Sequence, residues 1–159
     1  MSTRLRPTVP EDVPAILSLI DGIFAEYDCK LDAENEDRHL LAPGPYFRAS
    51  GGEFWVVEDE EGAILATVAV ALHEDAGELK ALYVHPKLRR HGWGRRLTEL
   101  AVNHARRASR PRMFLWSDTR FQAAHKLYRR MGFKEFGERD LHDSNNSREF
   151  GFEMSLMQD

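Results

Sequence analysis

The chain of 159 residues holds one cysteine, Cys29. A lone thiol closes no internal disulfide and builds no thiolate cluster, so the fold must rest on its apolar core, and no metal is expected. No apolar run approaches the roughly 20 residues that cross a bilayer. The opening segment, MSTRLRPTVPED, is polar and has no apolar stretch of the secretory type. A cytoplasmic protein with no membrane partner is the expectation. Repeats, low-complexity tracts and linkers are missing as well, which predicts one domain over residues 1–159. What is present suffices for a core: 42% hydrophobic residues, nine Phe and three Trp among them, against 30% charged. Such a chain offsets its conformational entropy by burial and is no disordered tail.

There is no basic excess either. Lys and Arg number 22 against 26 Asp and Glu, a net charge of −4. A dedicated nucleic-acid surface usually makes its domain basic, so no nucleic-acid partner is expected. The charge is uneven, however. Residues 21–61 carry twelve acids and three bases, whereas residues 87–112 carry nine bases and one acid, Glu99. This polarity suits a polyanion near the basic stretch and a cationic ligand near the acidic one. It equally suits two solvated faces.

Periodicity gives the elements. Thr3 to Pro7 reads as a first strand. Thr8 and Glu11 have capping-box spacing, Pro10 falls in a first turn, and Val13, Ile16, Leu17, Ile20, Phe24 and Tyr27 follow at helical intervals. Asn35 to Leu41 predicts a second short helix, stopped by Pro43-Gly44-Pro45. Phe54 to Glu58 and Ile64 to Leu72 read as strands around a Glu60-Glu61-Gly62 turn, the second of them central because of its long apolar run. Glu78 to His85 is a strand ended by Pro86, Gly92 to Arg107 an amphipathic helix, and Arg112 to Trp116 a strand. Phe121 to Met131 is a helix closed by Gly132, Phe133 to Phe136 starts a strand, and Glu149 to Leu156 alternates as a last one. The order predicts a mixed sheet with helices on both faces.

The stretch Leu82-Tyr83-Val84-His85-Pro86-Lys87-Leu88-Arg89-Arg90-His91-Gly92-Trp93-Gly94-Arg95-Arg96 carries the chemistry. A strand ends, a basic turn with two glycines follows, and a helix begins. A helix start presents unpaired N–H groups and a positive dipole end to an anion. Gly92 and Gly94 remove side chains that would hold a phosphate off the backbone, and the arginines add charged donors. The third glycine of a dinucleotide fingerprint would fall at Leu97, and no Gly-Lys-Ser/Thr of a phosphate loop is present.

This stretch, Glu78 to Pro86 followed by Arg89-Arg90-His91-Gly92-Trp93-Gly94, resembles the coenzyme-binding motif of the GNAT family of acyl-CoA-dependent N-acetyltransferases. Ala124-His125-Lys126-Leu127-Tyr128-Arg129-Arg130-Met131-Gly132-Phe133 is similar to that family's Ala-x-x-Leu-Tyr-x-x-x-Gly-Phe segment. The element order extends the resemblance over nearly the whole chain. It implies an α/β fold: a mixed, mostly antiparallel twisted sheet of about seven strands flanked by about four helices, splayed open at its centre. It implies acetyl-CoA as co-substrate. Residues Arg89, Arg90, His91, Gly92, Trp93, Gly94 and Arg95 would wrap the pyrophosphate, and Leu82, Tyr83 and Val84 would pair with the pantetheine arm.

The resemblance also implies catalytic roles. Tyr128 matches the residue whose phenol faces the thioester sulfur and would protonate the leaving thiolate. The backbone N–H of Val84 would face the developing oxyanion. The ammonium of an amine acceptor must lose a proton, and Glu78, Glu26 and Asp118 are the candidate acceptors of it. Glu26, Asp118 and Arg120 would line the acceptor side, with Arg120 or Arg148 suited to a carboxylate and the acidic 21–61 stretch to a cation. The polar His142–Ser147 turn would line that side. Phe121 stands where many family members have Asn, and Trp116 where some protein N-terminal acetyltransferases have Glu. The expected activity is acetyl transfer to the primary amine of a small molecule. A non-catalytic acyl-CoA sensor and an acetyltransferase acting on a protein are the alternatives, and a homodimer through an edge strand near 149–156 is compatible with the pattern.

Overall fold

Seven strands form one sheet in the order β1-β2-β3-β4-β5-β7-β6. In the computed structural model, which describes residues 2–157, they are β1 (Thr3–Pro7), β2 (Glu53–Asp59), β3 (Ile64–Leu72), β4 (Ala76–Val84), β5 (Arg112–Asp118), β6 (Lys134–Asp140) and β7 (Arg148–Ser155). Four helices flank it: α1 (Val13–Ala25), α2 (Pro43–Arg48), α3 (Trp93–Arg107) and α4 (Gln122–Arg130). Every neighbouring pair is antiparallel except β4 and β5. The parallel pair is joined by α3, as a parallel connection requires a crossover. The sheet and its helices are the mixed architecture expected from the element order.

The core lies in two layers. On one face Leu97, Ala101, Val102 and Ala105 of α3 pack with Val68, Val70, Leu79, Met113, Leu115 and Phe152. On the other, Ile16, Leu19, Ile20 and Ile23 of α1 pack with Phe47 of α2 and with Phe54, Val56 and Ala69. β3 contributes to both layers and is buried from Ile64 to Val70, which is why its sequence reads as a continuous apolar run.

Three local expectations need correction. The Pro43-Gly44-Pro45 segment opens a helix instead of stopping one: Pro43 is the first residue of α2, while Asn35 to Leu41 forms turns and a 3-10 turn at Arg38–Leu41. A first helical turn has unpaired N–H groups, so proline costs nothing there. The capping partner is Asp12 rather than Glu11. Its carboxylate accepts from Val9 N–H at 2.9 Å and from the Thr8 hydroxyl at 3.1 Å, and Arg6 grips it through two bonds of 2.8 Å. Tyr27 lies beyond the end of α1; Leu19 and Ile23 join Ile16 and Ile20 in the buried stripe, with Leu17 and Phe24 packed partly buried against it.

Candidate active site

The sheet opens at its parallel pair. β4 and β5 are in register from Ala76 with Arg112 to Leu79 with Leu115, and Lys80–Val84 and Trp116–Asp118 run on without partnering each other. A β-bulge on β4 sharpens the divergence. Thr67 faces Tyr83 and Ala69 faces Lys80, so β4 carries one extra residue between them. Ala81 has φ +54°, a left-handed value that side chains disfavour, and the buried Thr67 hydroxyl donates to its carbonyl at 2.7 Å. The bulge resets the alternation of side chains. Ala81 and Tyr83 face the α1 layer, while Leu82 and Val84 face the α3 layer.

Backbone direction follows from the same register. His85 N–H donates to the carbonyl of Leu65 at 2.8 Å. Strand amides alternate, so Val84 turns its N–H and C=O away from β3, into the opening. The Val84 carbonyl accepts from Arg89 Nε at 2.9 Å.

The turn after β4 ends at the mouth of that opening. Gly92 caps α3 with φ +78°, and the first bond of the helix runs from Arg96 N–H to the Gly92 carbonyl at 3.1 Å. Among the described residues the amides of Gly92, Trp93, Gly94 and Arg95 meet no acceptor. Four free donors at the positive end of a 15-residue helix form an anion site built of backbone. No atom lies within 4 Å of where a Gly92 Cβ would stand, so the space over the turn is open. Gly94 has a different duty, since a Cβ there would come within 3.1 Å of Leu127 on α4.

The candidate loop residues divide by what their side chains do. Arg90 and His91 point to solvent, and Arg90 takes a left-handed φ of +67°. Trp93 is buried in the α3 layer with the Arg96 guanidinium 3.9 Å above its ring, so its contribution to the turn is its amide. Arg95 pairs with Glu99 at 3.0 Å along the exposed helix face. Arg89 turns back: its two terminal nitrogens bind the two carboxylate oxygens of Glu26 at 2.8 and 2.9 Å. That pair holds the Glu26 carboxyl below the usual carboxylate range, the bond to Arg89 outweighing burial. Glu26 is thereby a stable anion fixed to the loop.

Tyr128 sits on α4 with its ring against Phe133 and Phe152, both at 5.8 Å between centroids. The residue is only 5% exposed. Its hydroxyl has no hydrogen-bond partner among the described residues and yet is not sealed off from solvent. Burial raises its pKa well above that of a free phenol, so it stays protonated and keeps a proton to donate. Tyr83, on the α1 face of the opening, is raised in the same way, first by burial and then by the charges of Asp37, Tyr128, Glu149 and Asp118.

A polar face beside the opening is assembled from distant segments. Asp118 receives Arg120 N–H at 2.9 Å, and the Arg120 guanidinium reaches Asp118 at 3.2 Å, the Cys29 sulfur at 2.8 Å and the Asn145 carbonyl at 2.6 Å. The Asn145 side chain pairs both ways with the backbone of Lys30, at 3.1 and 2.9 Å. Glu36 accepts from the amide and hydroxyl of Ser144 at 3.1 and 3.2 Å. The loop after α1 and the loop between β6 and β7 are thus stitched together beside the opening. The 142–147 turn thus lies against the loop after α1. Phe121 supplies no cap to α4 and instead packs edge-on against Tyr27 at 4.9 Å.

Glu78 stands on the last rungs before the split, opposite Phe114. His73 Nε2 lies 2.9 Å from its carboxylate and Lys80 Nζ 3.8 Å. His125 is buried, bonded to the Ser117 hydroxyl at 3.0 Å and pushed below its ordinary pKa by burial, which fits a neutral structural imidazole. The acidic 21–61 stretch is not one surface. Glu53 pairs with Arg48 and Glu58 with Arg6, while the Asp59 side chain accepts from the amides of the turn that follows β2. Two of its acids reach the opening's walls: Glu26 binds Arg89, and the charge of Asp37 acts on the Tyr83 phenol. Sequence separation hides the Asn145–Lys30 and Glu36–Ser144 contacts, which link residues more than a hundred positions apart.

Comparisons with known proteins agree with this geometry. Residues 50–135 match the acetyltransferase (GNAT) domain model. An uncharacterized N-acetyltransferase of Escherichia coli (strain K12), YjgM, is 28% identical over 84% of this chain and 83% of its own. A GNAT-family acetyltransferase of Staphylococcus aureus Mu50 shares the fold with a TM-score of 0.85 and 17% identity, over 98% of this chain and 100% of its own. A putative acetyltransferase of Salmonella typhimurium, yncA, solved with its cofactor acetyl-CoA, superposes with a TM-score of 0.75 and 18% identity, over 100% of this chain and 96% of its own. With two motifs, the split sheet and more than half its length matched, the chain belongs to the GNAT family of acetyltransferases.

Proposed function

We propose that this chain, acting as one catalytic domain, transfers the acetyl group of acetyl-CoA to the primary amine of a small molecule. The observation that carries the proposal is the set of four free amides, Gly92 to Arg95, at the mouth of the split between β4 and β5. A diphosphate held there would extend its pantetheine arm along the strand end at Leu82, Tyr83 and Val84, where the Val84 backbone faces outward. The open space over Gly92 fits such a group. Arg90, His91 and Arg95 would surround it, and Arg89 would hold the turn. Acetyl-CoA supplies an acetyl thioester, whose carbonyl carbon forms the new C–N bond as the C–S bond breaks.

The chain's own groups then have distinct tasks. The Val84 N–H, turned into the opening, donates to the carbonyl oxygen as charge develops on it. The Tyr128 hydroxyl gives its proton to the departing sulfur and regains one from the solvent it touches. Glu78 takes the proton of the acceptor ammonium, directly or through water. Asp118 and Arg120 shape the acceptor side, together with Asp37 and Glu149, whose charges reach the Tyr83 phenol. Carboxylates dominate that face, which favours a cationic amine. Three nearby cations are engaged: Arg120 with Asp118, Arg139 with Glu149 and Lys80 beside Glu78.

The test is a thiol-release assay with acetyl-CoA across polyamines, amino acids and peptides. Turnover with small cationic amines is expected. Coenzyme binding without turnover on any amine would select the sensor reading, and turnover on peptides alone would select the protein-acetylating one.

A further inference from the structure

Glu26 sits just past the end of α1, and its place in the sequence suits an acceptor-side carboxylate. Its contacts point elsewhere. Both of its oxygens are taken by Arg89, at 2.8 and 2.9 Å, in the parallel fork that guanidinium and carboxylate prefer. The third nitrogen of Arg89 donates to the Val84 carbonyl at 2.9 Å. One guanidinium therefore joins three elements: the end of α1, the end of β4 and the turn that leads to the free amides of α3. The edge contact of Phe24 with Tyr83, 5.8 Å between centroids, brings α1 to the same strand end.

We propose that Glu26 is a positioning residue for the coenzyme turn, locking Arg89 onto the Val84 carbonyl so that β4 and the Gly92 turn hold their receiving shape before any ligand arrives. This rests on the coenzyme assignment of that turn. The turn has a strained point that needs such a hold, Arg90 at φ +67°. A loop fixed in its bound shape loses less freedom on binding, so the gain appears as coenzyme affinity. The pair is about one-third exposed on each side. Its effect is accordingly modest, about fivefold in affinity, the worth of a well-made exposed ion pair. The contact also joins the coenzyme turn to the segment that continues from α1 into the acceptor-side loop at Cys29 and Lys30.

Titration of the intact protein with coenzyme A by calorimetry tests this without any acceptor. Glu26→Gln and Arg89→Lys are each expected to weaken coenzyme A by about fivefold, and the double variant no more than the weaker-binding single one. Non-additivity of that kind identifies a shared interaction. Amide hydrogen exchange over residues 84–92 of the ligand-free protein should quicken in Glu26→Gln. Unchanged affinity and unchanged exchange in Glu26→Gln would overturn the proposal. So would a rise in acceptor KM with coenzyme affinity intact, which would return Glu26 to the acceptor side. A wild-type protein that does not bind coenzyme A at all would defeat the coenzyme reading itself, and this inference with it.

Discussion

The hydroxyl of Thr67 on β3 donates to the carbonyl of Ala81 on β4 at 2.7 Å, and this bond spans the bulge that parts β4 from β5. Ala81 holds φ +54° without the freedom of glycine, so its conformation is imposed by its neighbours. Thr67→Val keeps shape and removes the donor, leaving the half-buried Ala81 carbonyl short of a partner. Thermal or denaturant unfolding should show a loss of about 1–2 kcal/mol. Catalytic turnover should fall as well, because the bulge sets which way Tyr83 and Val84 face. A variant as stable and as active as the parent would show that the bulge stands without this bond.

Gly92 is required by conformation more than by crowding. Its φ is +78°, and the space that a Cβ would enter is empty to a distance of 4 Å in the ligand-free protein. Gly92→Val places a β-branched residue in the left-handed region and a side chain in the space over the free amides. Coenzyme A affinity measured by calorimetry should drop about tenfold or more, at a strain of about 1–2 kcal/mol, with Gly92→Ala intermediate. A folded Gly92→Val protein with unchanged affinity would remove the turn from the coenzyme site.

Much of this arrangement is legible in the sequence because it is local. The anion turn needs only a strand end, two glycines and a helix start in succession, and these lie within 82–97. Tyr128 is legible through its neighbours on α4. The central placement of β3 follows from its unbroken apolar run. The bulge at Ala81 leaves no mark, since alanine is not a residue that announces positive φ. Side-chain fates are equally hidden. Glu26 and Arg89 are 63 positions apart, and nothing in either neighbourhood says that they meet. Pro43-Gly44-Pro45 is ambiguous because the same residues that stop a helix also suit its first turn.

Asp12 links the first strand to the first helix, and its chemistry predicts an acid sensitivity. The bonds from Arg6 lower its pKa below the usual carboxylate value, and burial opposes them. A carboxyl depressed in the folded state stabilises the protein above its unfolded pKa near 4 and loses that contribution as pH falls through the folded value. Stability should therefore decline below about pH 4. Asp12→Asn should cost about 2 kcal/mol at pH 7, between an exposed and a buried pair. The difference between variant and parent should shrink toward acid pH. Unfolding curves from pH 3 to 7 for both proteins check this, and a constant difference across that range would exclude Asp12 as the source.

Tyr128 offers the sharpest separation of structure from chemistry. Its ring is packed against Phe133 and Phe152, while its hydroxyl bonds to nothing among the described residues. Tyr128→Phe therefore keeps every packing contact and strands no partner, and stability should change by less than about 0.5 kcal/mol. Coenzyme A affinity should stay within about twofold, because the phenol adds no charge to the anion turn. Turnover should fall about a hundredfold, the usual worth of one positioned proton donor. The raised pKa of the phenol means that it remains protonated through neutral pH, so the parent's turnover should show no loss from its ionisation between pH 6 and about pH 9. Measuring kcat for both proteins at saturating acetyl-CoA and amine decides the matter. Full activity in Tyr128→Phe would assign the proton of the departing thiolate to water.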